Sequence, residues 1–160
     1  MKKIVVILMV ASAAFCFTSC LTSDYQSTPQ ILVSHIYRVH NGVAQDTLEY
    51  YKDTAYVGDT LWAPMMLNGE YNTLVSFRIS ADTSAFDYYL HCDSVYKQLI
   101  AEDSKLQEGY VHFVEGAYYC PVQFIFMPKK AGSFPVYMTL SSSANEKYSP
   151  KNAQFIQIVK

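Results

Sequence analysis

Glycine is scarce in this chain, and its spacing argues against the common phosphate-binding loops. The 160 residues include six glycines, and no two of them are close enough to form a Gly-rich phosphate loop or a dinucleotide fingerprint. The nucleophile-elbow pattern Gly-x-Ser-x-Gly is also absent,. These absences exclude nucleotide-binding enzymes of those types and the usual α/β serine hydrolases.

Clusters of positive charge are missing as well. The chain has 12 basic and 14 acidic residues, a formal net charge of −2, and no run of lysine or arginine. A protein of this charge has no electrostatic reason to bind nucleic acid, so we expect no nucleic-acid partner. Outside the N-terminus no apolar run approaches the length of a membrane-spanning helix.

The N-terminus has the three-part layout of a secretory signal. Lys2 and Lys3 precede an apolar run over residues 4–17, and Thr18 and Ser19 lead to Cys20. The run has about fourteen residues, whereas a transmembrane helix needs about twenty. Phe17-Thr18-Ser19-Cys20 resembles a lipobox, which implies cleavage before Cys20 and lipid on that cysteine. Cleavage by the general signal peptidase, leaving Cys20 as a free thiol, is the alternative.

The residues around the cleavage site and the body of the chain resemble the small lipoproteins of Bacteroides-type bacteria. Phe17, the pair Ser23-Asp24 and a tyrosine-rich body carry this resemblance. It implies an outer-membrane protein anchored by N-terminal lipid, on a membrane face that the residues leave open. We therefore divide the chain into a signal peptide (1–19), a lipidated cysteine and flexible tether (20–30) and one folded domain (31–160).

The body of the chain is rich in residues that favour strands. It has 14 Tyr and 9 Phe in total, and aromatic residues suit a pleated, half-buried surface. Apolar side chains at every second position indicate a strand with one buried face. Four segments show this alternation: 61–67, 75–81, 122–126 and 134–140.

Further elements lie between and around these strands. Asn41-Gly42 suits a type I′ turn and predicts a hairpin, while Phe155 to Val159 predicts a short terminal strand. Apolar residues between Ser94 and Leu106 are spaced closer to a helical period, and Gly109 provides a stop. This segment predicts one short helix that crosses between strands, with a loop as the alternative.

About seven to eight short strands with turns between them predict an all-β, antiparallel β-sandwich. Two local patterns resemble immunoglobulin-like domains of bacterial surface proteins. Residues 56–61 resemble the turn into the second strand, and residues 127–134 resemble the corner before the penultimate strand. The resemblance implies an immunoglobulin-like topology.

Reactive groups are few. Cys92 and Cys120 are the cysteines of the folded domain. Outside the cytoplasm they can form a disulfide; two buried free thiols are the alternative. Neighbours on a strand point to opposite faces, so His91 and Cys92 are poorly placed to share a metal ion, and we expect no metal or cofactor. The acidic residues are numerous enough to include a glycosidase pair, but we expect most of them to be solvated: Asp82, Asp87, Asp93, Glu102, Asp103 and Glu108.

The sequence therefore predicts a non-catalytic binding or interaction module of the cell envelope. A glycan, a peptide or an envelope protein would be its ligand. The candidate surface comprises Trp62, near Met65 and Met66, and two tyrosine pairs, Tyr88-Tyr89 and Tyr118-Tyr119,. Core packing explains each of these residues equally well. A structural subunit of a surface assembly and an envelope hydrolase are the alternative functions.

Overall fold

A computed structural model describes residues 26–40, 43–48 and 54–160. These residues form ten β-strands and two short 3₁₀-helices, Ser94–Leu99 and Leu106–Glu108. The strands are β1 (Gln30–Val33), β2 (Ile36–His40), β3 (Val43–Leu48), β4 (Thr60–Asn68), β5 (Leu74–Ala81), β6 (Phe86–His91), β7 (Tyr110–His112), β8 (Tyr119–Pro128), β9 (Gly132–Ser142) and β10 (Lys151–Val159).

The strands form two antiparallel sheets. The six-stranded sheet has the order β3-β2-β4-β8-β6, with β1 paired to β4 beside β2. The four-stranded sheet has the order β10-β9-β5-β7. Lettered A to G in chain order, β2, β4, β5, β6, β8, β9 and β10 give the orders A-B-E-D and G-F-C, which is the immunoglobulin arrangement.

The predicted sandwich is confirmed, and both immunoglobulin-like patterns lie where they were expected. The turn at residues 56–59 leads into β4, and the corner at 128–132 leads into β9, the penultimate strand. The count is ten strands because β1, β3 and β7 are added at the sides of the seven-strand arrangement. The hairpin of β2 and β3 is present, with His40 opposite Val43; Asn41 and Gly42 themselves lie outside the described residues.

Two local predictions differ from the structure. The crossing helix is a 3₁₀-helix that ends at Leu99, because the chain beyond it forms bridges from Ile100 to Phe113 and from Lys105 to Tyr110. Val75 was expected on the buried face of its strand, but it is exposed. A register shift between Leu74 and Ser76 makes it the extra residue of a bulge, and Leu74 is buried instead.

The core lies between the sheets and is rich in phenylalanine. Phe124 is fully buried; its ring stacks on Phe126 at 4.6 Å between centroids and meets the edge of Tyr88 at 5.9 Å. The largest fully buried side chains are Phe77, Phe86, Phe124, Phe126, Leu61, Leu67, Ile79, Leu90, Leu140, Val111, Val122 and Val136. Burial of these side chains from both sheets stabilises the sandwich.

Replacing Phe124 by alanine should lower the free energy of unfolding by about 3–5 kcal/mol, because the change removes buried apolar area and leaves a cavity. Urea unfolding of a Cys20→Ser form of the protein measures this. Tyr137→Ala, at an exposed position of β9, is the control and should cost less than about 1 kcal/mol. Equal losses in the two variants would contradict the described core.

Candidate functional site

The outer face of the six-stranded sheet, which points away from the core, is mainly apolar. Antiparallel sheets usually carry polar residues on a solvated face. Here the side chains between the buried positions of β4 and β8 are also largely hydrophobic. We call the following set the outer face: Leu32, Tyr37, Trp62, Pro64, Met66, Tyr89, Tyr119, Pro121, Ile125 and Met127.

Trp62 lies in the middle of the outer face. It is opposite Tyr37 on β2 and Ile125 on β8, and Ile125 is in turn opposite Tyr89 on β6. The rings of Tyr37 and Trp62 are tilted against each other at 5.7 Å. Among the described residues, the buried Trp62 Nε1 finds no hydrogen-bond acceptor. A buried donor without a partner costs about 1–3 kcal/mol.

An apolar groove of about 390 Å³ adjoins this row. Leu32, Met66 and Pro121 are in register across β1, β4 and β8, and Pro64 also lines the groove. Leu32 is 52% exposed and Met66 is 37% exposed. Large hydrophobic side chains thus face solvent side by side.

The two prolines of the groove occupy strand positions at which no backbone N–H is needed for pairing with a neighbouring strand. The Pro64 carbonyl accepts a hydrogen bond from Ser34 N–H at 2.9 Å, so the Pro64 nitrogen faces the break between β1 and β2. Pro121 lies beyond Gln123, which is the last partner of β6 on β8. Rigid apolar rings therefore enter the sheet surface without loss of ladder hydrogen bonds.

A second depression, the tyrosine cleft, lies beside the first 3₁₀-helix. It has a volume of about 380 Å³, and Tyr118 and Tyr119 form one wall. Tyr118 is 51% exposed and Tyr119 is 54% exposed. The helix contributes the opposite wall through Val95, Tyr96, Gln98 and Leu99. The cleft is more polar than the groove on the outer face.

The structure separates the residues that were predicted to form one surface. Trp62 and Tyr89 share a row on the outer face, but Tyr119 lies about 20 Å along β8 from Ile125 at the usual strand rise,. Tyr88 points the other way and contacts Phe124. The pair Tyr88-Tyr89 is therefore not adjacent to Tyr118-Tyr119.

Other members of the surface were missed from the sequence. Met65, named beside Trp62, is buried, whereas Met66 faces outward. Leu32, Tyr37, Pro121 and Ile125 were not predicted. The available signal was the second set of alternating apolar residues in residues 61–67 and 121–127, which shows that both faces of β4 and β8 are hydrophobic.

Cys92 and Cys120 are free, buried thiols in this structure. Both sulfur atoms lie within hydrogen-bonding distance of the Pro121 carbonyl oxygen, at 3.8 Å and 3.6 Å. Burial, with the neighbouring Cys92, raises the pKa of Cys120 to about 12, and burial also raises the pKa of Cys92. Such thiols are poor nucleophiles and poor metal ligands. Cys20 lies outside the described residues.

Two histidines of the described surface pair with acidic residues that are near them in sequence. His91 Nε2 lies 3.5 Å from Asp93, and His112 Nδ1 lies 2.8 Å from Asp103. Ser104 Oγ bonds the backbone of His112 and not its ring, so these residues do not form a catalytic triad. Within the described ranges, no three His, Cys, Asp or Glu side chains form a group that could hold a metal ion.

Two of the acidic candidates line one small pocket of about 320 Å³. Asp87 forms an ion pair with Lys129 at 2.8 Å, and Glu108 forms one with Lys105 at 3.6 Å. Asp82 belongs to a turn, where hydrogen bonds from the Ser84 side chain and from the Ser84 N–H lower the pKa of its carboxyl group. The carboxylates therefore act as ion-pair and turn residues.

The raised thiol pKa values predict slow alkylation of the folded protein. At pH 8 a cysteine of pKa about 12 has roughly a thousandfold less thiolate than an ordinary cysteine. We expect iodoacetamide to label Cys92 and Cys120 of the Cys20→Ser form at least about 100-fold faster in urea than in buffer, as followed by mass spectrometry. Failure to label in urea without a reductant would instead show a disulfide between them.

No helix among the residues placed by the structure has the length and apolar character that a bilayer crossing requires.

No protein-family model and no curated protein matches the chain. Among solved structures, it is similar to a DUF4466 family protein from Parabacteroides merdae, with a TM-score of 0.46 and 9% identity over 82% of this chain and 43% of that one. It is also similar to a family 123 glycoside hydrolase from Clostridium perfringens, with a TM-score of 0.41 and 11% identity over 84% of this chain and 27% of that one. The chain spans less than half the length of either protein.

Proposed function

We propose that this chain is a lipid-anchored, non-catalytic interaction module of the bacterial outer membrane, and that its outer face binds another envelope protein. The observation that carries the proposal is the apolar outer face, with Leu32, Trp62 and Met66 on one continuous surface. The anchor is inferred from the signal pattern and from the lipobox-like residues that end at Cys20,.

The composition of the outer face supports a protein partner. Aromatic residues and methionine are enriched at protein interfaces, and tryptophan and tyrosine contribute most to hot spots. Trp62 occupies the middle of this face, where a partner would exclude water from it most completely.

The shape and polarity of the groove also favour a protein or peptide over a glycan. Its lining is almost wholly apolar: Leu32, Val33, Pro64, Met65, Met66 and Pro121, with Ser34 as the polar member. Sugars need several converging polar groups, and the polar residues Gln123 and His91 lie beside the groove and do not line it. The outer face therefore has an apolar centre with polar residues beside it, as a protein interface does.

Photo-crosslinking in intact cells tests the proposal. A benzoylphenylalanine placed at Met66 should crosslink to one specific protein, identified by mass spectrometry. The same residue at Tyr137, which is 50% exposed on the other sheet, should not. Identical products at both positions, or none at Met66, would refute binding through the outer face.

A charge on the outer face should remove the partner without unfolding the domain. Leu32→Asp buries an unpaired carboxylate in the interface, so we expect the crosslink from Met66 to fall at least tenfold. Tyr137→Asp is the matched control and should leave the yield unchanged. Urea unfolding of both variants verifies that the domain remains folded.

A structural subunit is a second candidate, and the edge strand β10 favours it. β10 pairs with β9 on one side, whereas on the other side Ala55 bonds Ile158 and Lys160 at its end. Within the part of the chain that the structure describes, no strand pairs with that side of β10 around Ile156, an arrangement that suits strand addition. If this function holds, the soluble protein will associate with rising concentration in sedimentation experiments, and Ile156→Pro will abolish the association.

A further inference from the structure

We infer that one end of the sandwich, which carries Tyr71, Tyr118 and Tyr119, rests on the surface of the membrane that holds the lipid anchor. This inference rests on the proposed lipidation of Cys20 and adds an orientation and a second contact to it. We call this end the entry pole; it comprises residues 26–29, 69–73, 114–119 and 143–149.

The chain enters the domain at this pole and is fastened there. The Asn145 N–H donates to Gln26 Oε1 at 2.7 Å. The side-chain amide of Asn72 donates to the backbone oxygen and the hydroxyl of Ser27, at 3.3 Å and 3.2 Å. Asn72 is itself buried, as is Pro29. The entry point is therefore part of the folded domain.

The loops of the entry pole form one connected surface. The Gly69 N–H donates to the Tyr118 carbonyl at 2.8 Å, which joins the first loop to the second. The Ser143 N–H donates to the Thr73 carbonyl at 2.8 Å, which joins the first loop to the third. These loops thus lie together at the end of the sandwich where the chain enters.

The distance from the anchor is short. Gln26 is the sixth residue after Cys20, and six residues span about 20 Å at most when fully extended. β9 alone has eleven residues, about 36 Å at the usual rise. The maximum length from Cys20 to Gln26 is therefore less than the length of the sandwich. When Cys20 carries lipid, the entry pole is the end of the domain that lies at the bilayer.

The side chains at this pole suit the headgroup region. Tyr71 is 67% exposed, and Tyr118 and Tyr119 are each more than half exposed. Tyrosine is enriched at membrane interfaces because its ring is apolar and its hydroxyl is polar. The pole also carries Glu70, Glu115 and Glu146 against Lys147. Its acidic balance means that the contact depends on the tyrosines and not on attraction to anionic lipid.

The experiment uses the acylated protein in phosphatidylcholine vesicles that contain a headgroup spin label. An NBD fluorophore is placed on Glu146→Cys at the entry pole or on Val57→Cys at the opposite pole, where Val57 is 50% exposed. Cys92 and Cys120 are buried, and the unsubstituted protein measures any labelling of them. We expect at least threefold stronger quenching at position 146 than at position 57, unchanged by added salt.

Replacing Tyr71, Tyr118 and Tyr119 together by serine should reduce the quenching at position 146 towards the level at position 57. Tyr137→Ser is the control and should have no effect. Equal quenching at the two poles of an acylated protein would overturn the orientation and leave the proposed anchor intact. An unmodified Cys20 in the mass spectrum of the purified protein would overturn the anchor and the orientation together.

Discussion

The pairing of β4 with β8 is the constraint on which the rest of the sandwich depends. Eight consecutive antiparallel partners join these strands, from Leu61 opposite Phe126 to Asn68 opposite Tyr119. A shift of one residue would exchange the two faces, and hydrophobicity alone does not prevent it because both faces are apolar. The sizes of the side chains prevent this shift. Ala63 lies opposite Phe124, and both are fully buried. Trp62 in the place of Ala63 would overfill the core.

The same alternation that builds the core also builds the outer face. Each apolar residue that points outward in β4 and β8 gives up the solvation that a polar residue would have at that position. Trp62 Nε1, which has no acceptor among the described residues, adds to this cost. A sequence under selection for stability alone would place polar residues there. If the entry pole rests on the bilayer, the strands stand upright and the outer face points sideways, towards proteins in the same membrane.

Particular segments show which parts of the secondary structure the sequence pattern predicts correctly. Alternation identified the strands around Leu61–Leu67 and Val122–Phe126 because one face of each is buried against a second sheet. It failed at Val75, since a bulge depends on how β5 pairs with β9. It also extended the helix after Ser94 too far, because residues 100–105 bond to the segment around β7. In both cases the hydrogen-bond partners either are distant in sequence or do not have the spacing of a helical turn, so a local pattern does not predict them.

The residues alone determined the all-β class and the absence of recognisable catalytic motifs, and they predict an export signal with a lipobox-like end at Cys20, because each of these is a property of a short stretch of chain. The composition of the candidate surface was decided by the tertiary structure. Tyr37, Trp62, Ile125 and Tyr89 form one row only because β2, β4, β8 and β6 are neighbours in the sheet. Strand order follows from how two sheets bury their faces together, and no local pattern records it.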